Sequence, residues 1–174
     1  ARRRLRARVT EDADASEARE RVTGTFLVAE ADEAGDGAVL MDAERGRVHT
    51  LADAGDLATG EALVGELAAD GAMEAVWTVA EEVERWSVEI GASEEPPTEH
   101  ASERASDEVG DLVRIERAGE GELHVITVPE DGTEQAVADV LADEQGLRAR
   151  AARLGVARVE VRSAPGLVCV RYLP

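Results

Sequence analysis

Three histidines and one cysteine are the side chains in this sequence that titrate nearest neutrality, so they bound the acid–base and nucleophilic chemistry open to it. His49, His100 and His124 fall in three different elements, which gives none of them a partner at metal-ligand spacing. Cys169 alternates with Val168 and Val170 in an apolar run, the setting of a small buried thiol rather than a nucleophile. No nucleophile elbow, phosphate loop, dinucleotide fingerprint or zinc-protease helix occurs. With 38 Asp and Glu in 174 residues, no particular pair of carboxylates singles itself out for general acid–base work. The expectation is a protein without catalytic residues, cofactor or metal, and not an enzyme.

The arginines are distributed more tellingly. All 19 bases are Arg, with no Lys and no Asn, and the net charge is −19. Residues 1–8 carry +5, residues 147–174 carry +5, and residues 9–146 carry −29. In the last stretch Glu160 is the one acid among Arg148, Arg150, Arg153, Arg158, Arg162 and Arg171. Strand alternation places Arg158 and Arg162 opposite Val159 and Val161, with Arg171 and Arg114 able to join them from neighbouring strands. Candidate contacts for nucleic acid or an acidic partner are therefore Arg114, Arg148, Arg153, Arg158, Arg162 and Arg171. An aromatic stacking platform is missing from that set, Tyr172 being the one aromatic nearby. The local alternative is that cations suit the last turns of a helix and pair with acids of the same chain.

Short apolar runs must position these groups. Strand-like segments at Gly24–Glu30, Gly37–Asp42, Gly46–Leu51, Glu61–Leu67, Met73–Val79 and Glu84–Ile90 are bounded by Gly and acids. They predict a small barrel over residues 22–92, the last two runs forming a hairpin that turns near Glu81 and Glu82. Residues 93–108, with paired prolines and scattered Ser and Glu, read as an acidic linker too polar to order itself. Residues 109–174 read as a ββαββ unit: a hairpin at Asp111–Val128, a helix, and a hairpin around Pro165–Gly166. Asp131 with Glu134 suggests a capping box at the start of the helix, Gly146 a split within it, and Gly155 its C-terminal cap. The fold class expected is mainly β (α+β), a small OB/SH3-like β-barrel followed by an antiparallel ββαββ sheet with one helix. Residues 1–21 match no part of this organisation and read as a disordered tail or a stretch added by a mis-set start.

An acidic, lysine-free surface built around regular apolar runs suits a folded protein in molar salt, where the Debye length falls to about 3 Å. That points to the cytoplasm of a halophilic archaeon. No apolar run approaches the ~18 residues of a membrane span, so no membrane role is expected.

The runs Gly24-Thr-Phe-Leu-Val28, Ala38-Val-Leu-Met-Asp42, Gly46-Arg-Val-His-Thr-Leu51 and Gly60-Glu-Ala-Leu-Val-Gly-Glu-Leu67, with the Glu95-Pro-Pro-Thr98 linker, resemble an uncharacterised haloarchaeal protein family. The resemblance covers about residue 22 to the C-terminus and implies no catalytic residues, since that family has no assigned activity. More loosely, Gly60-Glu-Ala-Leu-Val-Gly65 is similar to the turn-strand of OB- and TRAM-like RNA-binding barrels. The function expected is non-enzymatic binding of a protein partner. The alternative is an RNA- or ribosome-associated factor using the Arg-rich C-terminal sheet.

Overall fold

The computed structural model describes residues 19–70 and 73–174; the basic cluster at 1–8 lies outside them. Strands β1 (Arg21–Ala31), β2 (Ala38–Asp42), β3 (Val48–Leu51), β4 (Glu61–Asp70) and β5 (Met73–Ser87) close a barrel in the order β1-β2-β3-β5-β4. All neighbours are antiparallel except β3 and β5, which run parallel. Alternation fills the barrel with Phe26, Val28, Leu40, Leu51, Leu63, Leu67 and Trp77, all buried.

A second sheet has the order β6-β9-β10-β8-β7, from β6 (Glu89–Ala92), β9 (Arg158–Ala164), β10 (Leu167–Leu173), β8 (Glu122–Thr127) and β7 (Leu112–Glu116). One face carries Val159, Val161, Val168, Val170 and Tyr172 beneath α2 (Thr133–Ala142) and α3 (Glu144–Leu154). The mainly β class, with a closed barrel followed by a sheet carrying a helical layer, is as the sequence implies.

Several details differ from the sequence reading. The hairpin expected near Glu81 and Glu82 does not form, because β5 is one 15-residue strand paired along its length with β4. Register shifts between Val64 and Gly65 and between Glu66 and Leu67 bend it there instead. Gly65 permits the approach, since a Cβ on it would lie 2.1 Å from the Glu81 carbonyl oxygen. The run ending at Ile90 leaves the barrel at Val88 and continues as β6, a parallel edge strand of the second sheet.

The stretch read as a linker is also ordered. Thr98 caps α1 (Glu99–Glu103), whose Ala101 is fully buried against Ile115, Leu123, Val125 and Cys169 on the other face of the sheet. A few small apolar residues between polar neighbours are enough to cover that face.

The expected helix is two helices broken at Asp143, whose side chain accepts a hydrogen bond from the Gly146 backbone N–H at 3.1 Å. A Cβ on Gly146 would meet the Asp143 carboxylate at 2.2 Å, so the capping side chain sits in room that the glycine leaves. Asp131 caps nothing; a 3-10 turn over Glu130–Gly132 precedes α2. The Thr133 hydroxyl donates to the Glu130 carbonyl and accepts from the Gly166 N–H at 2.9 Å, tying the helix start to the β9–β10 turn. Gly155 ends α3 in the left-handed conformation, with φ at 67°.

The two units share one core. Ala43 and Ala62 of the barrel and Val88 pack with Leu147, Ala151 and Ala152 of α3. The small side chains let the helix lie close to the barrel wall. Trp86 Nε1 donates to the Val156 carbonyl at 3.1 Å, and Arg153 Nε to the Ala43 carbonyl at 3.0 Å.

Candidate binding surface

The six arginines singled out by sequence do not gather into one basic face. Arg162 and Arg171 do share a face of the second sheet, but Glu160 stands between them and both bind it. Arg162 also reaches Glu95 at 2.6 Å. Burial would raise the Glu160 pKa, yet the hydrogen bonds from Arg162 and Arg171 hold it below the usual carboxylate range. The charges therefore cancel locally. Arg158, on that same face, and Arg114, on the helix side, are exposed and make no ion pair among the described residues. Arg153 is bound to the barrel through Ala43, and Arg148 pairs with Glu144 at 2.6 Å.

Sequence reasoning missed Arg150 as a fastener. Its guanidinium donates from Nε and Nη2 to the two oxygens of buried Glu122, both at 2.7 Å. Burial alone would raise the Glu122 pKa, but Arg150 and His124 bring it below its ordinary value. His124 is lowered in turn, by burial first. A neutral imidazole beside an ionised carboxylate must donate, so Nε2–H of His124 points to Glu122 Oε1. Tyr172 packs over His124 with ring centroids 5.0 Å apart, and burial pushes its hydroxyl up to about 12. This cluster fastens α3 to β8.

His49 is 2% exposed inside the barrel, edge-on to Trp77 and Phe26 at centroid distances of 4.6 and 5.8 Å. Neither ring nitrogen has a hydrogen-bond partner, and burial lowers its pKa. Cys169 is buried beneath α1, and burial raises its thiol pKa. His100 is exposed on α1. Among the described residues no group of His, Cys, Asp and Glu is arranged to hold a metal ion, and no helix is long and apolar enough to cross a membrane.

The outer wall of the barrel stands out instead. Cross-strand register places Met41 beside Val48, Val39 beside Thr50, and Thr50 beside Val76, all pointing outward. None of the five is charged, none is buried, and Val48 is 61% exposed. The next strand toward α3 contributes Leu27, opposite Met41 and Ala62 and only 1% exposed. Beside this stripe lie two cavities of about 360 and 500 Å³. Both are lined by Glu30 and Val39, so they meet across β1 and β2. The signal for this wall was present in Ala38-Val-Leu-Met-Asp42, which is apolar on both faces although a barrel covers only one.

Residues 22–163 match a family described as a family of unknown function (DUF5812), and the chain belongs to that family. The match spans the barrel, α1 and most of the second sheet. No curated protein and no solved structure matches the chain.

Proposed function

We propose that this member of DUF5812 is a non-enzymatic binding protein of a halophilic archaeal cytoplasm, holding a protein partner on the outer wall of β2 and β3. The observation that carries the reading is the uncharged stripe of Val39, Met41, Val48, Thr50 and Val76 on a chain of net charge −19. Apolar surface left open on a molecule so rich in acids has a cost in water unless something covers it part of the time. The closed five-strand order, with its parallel β3–β5 pair, supports reading the barrel as OB-like, and in OB-folds the strand 2–3 face is the usual ligand platform. A likeness of architecture sets where to look and not what binds.

The charge arrangement favours a protein partner over RNA. Phosphate contacts need cations that are free to replace counterions. Arg162 and Arg171 are already neutralised by Glu160 and Glu95, while Arg148 and Arg150 are held by Glu144 and Glu122.

The test is a pull-down with the full tagged chain from a lysate of the source organism at multimolar KCl, with and without nuclease. The expected result is a nuclease-resistant protein partner that is lost when Val39 and Val48 are both changed to Glu. Circular dichroism of the variant should show the parent's melting. A partner retained by the variant, or RNA lost on changing Arg114 and Arg158 to Glu, would overturn the proposal.

A further inference from the structure

The groove beside the wall carries its own chemical signature. We infer that it takes an extended protein segment in which Arg or Lys alternates with apolar side chains, an inference that rests on the partner-binding role of the wall. The two cavities share Glu30 and Val39, and together they line a trough from α3 across β1 to β2 and β3. Its lining mixes polar and apolar surface, with the Val39 side chain and the backbone of Gly37 and Gly60 between the charged rims. At about 4.8 Å per strand, β1 to β3 spans roughly 10 Å, room for three or four extended residues at 3.3 Å each.

The rim decides the sign of the ligand. Glu30, Asp32 and Asp36 line the barrel-tip half, and none makes an ion pair among the described residues. Asp32 Oδ1 accepts the Ala34 N–H at 2.8 Å, and its second oxygen accepts no hydrogen bond among the described residues. At the helix end, Arg148 is paired with Glu144, while its buried Nε has no partner. A polyphosphate would meet three uncompensated carboxylates. A cationic side chain would meet acceptors there, with its aliphatic stem on Val39.

Extended docking here must work through side chains. The barrel is closed, so it offers no strand edge for backbone pairing. Contact over so small a trough is weak and exchanging, the regime in which charges set specificity more than affinity.

The experiment is an amide NMR titration of the full chain with a short peptide of alternating Arg and Val, against its Glu–Val counterpart. The Arg–Val peptide should move the signals of Gly37, Val39, Thr50 and Gly60, and the Glu–Val peptide should not. Glu30→Gln and Asp36→Asn, both at exposed positions, should each weaken binding about two- to five-fold. Equal response to both peptides, shifts confined to other surfaces, or no shift at millimolar peptide would overturn the inference. So would the same signals moving with protein concentration alone, which would make the groove a contact between two copies of the chain. A natural partner lost on the Val39 and Val48 changes but indifferent to Glu30→Gln with Asp36→Asn would sink the basic-segment inference and leave the wall's role intact.

Discussion

At the scale of single residues, the buried ionisable groups set how the molecule responds to acid. His49 and His124 both have lowered pKa values in the fold, with burial the first cause. The unfolded chain therefore takes up their protons first as pH falls through about 6.5, and stability declines from that point downward. Asp42, Glu122 and Glu160 are lowered too, the hydrogen bonds from their partners outweighing burial. Their contribution is present above the ordinary carboxylate pKa and is lost as pH falls through the lower folded value. Acid unfolding should thus begin below pH 6.5 and steepen below about 4. Replacing His49 by Leu removes two unpartnered nitrogens and should stabilise the fold by about 1 kcal/mol. It should also flatten the stability profile between about pH 5 and 6.5, read from guanidinium midpoints; an unchanged profile would assign that slope elsewhere. Glu122→Gln leaves Arg150 without its counter-charge and should cost about 2–3 kcal/mol, whereas an equal cost from Glu30→Gln on the open rim would contradict this account.

At the scale of elements, backbone approach decides where strands bend. Gly65→Ala drives a Cβ into the Glu81 carbonyl and should cost about 1–3 kcal/mol. Gly91→Ala, on the exposed edge strand with open space around it, should stay within about 0.5 kcal/mol. Thermal midpoints of the two variants provide the comparison, and equal losses would remove the argument for the bulge. Such contacts explain which elements could be read in advance. The β9–β10 hairpin and the end of α3 are local, fixed by Pro165–Gly166 and by Gly155, and both were legible. The length of β5 was not, because period-two alternation runs through Glu81 and Glu82 whichever strand is the partner. The role of Ala101 was hidden for the same reason: one small residue among polar ones gives no periodic signal, yet it is fully buried against the sheet. The neutralised arginines were partly legible, since the alternation that aligns Arg158 with Arg162 also sets Glu160 between them. The wall left its trace in the apolar run of β2, but the trough beside it was not legible, for it depends on α3 lying over β1.

For the molecule as a whole, the core shared by barrel and sheet should make them one cooperative unit. Ala43 and Ala62 belong to the barrel, yet they are buried in the same cluster as Ala151 and Val159. Strand β6 follows the barrel directly and pairs with β9 at the edge of the second sheet. Cutting the chain between residues 92 and 93 would strip the sheet of that edge and expose the helix face that now rests on the barrel. The two fragments, 22–92 and 93–174, should therefore each lack the sharp amide dispersion of a folded domain when made alone. The chain from residue 22 onward should melt in one calorimetric transition with equal van't Hoff and calorimetric enthalpies. Salt bears on the same transition. With a net charge of −19, self-repulsion opposes compaction until counterions screen it, so the midpoint should climb as KCl is raised toward molar levels. Two separate transitions at high salt, or a folded 93–174 fragment, would show that the contact through α3 joins domains that are already stable. A single transition that rises with salt means that the barrel wall, the trough and the helix lying against them form and are lost together. The binding surface would then exist only in the assembled fold.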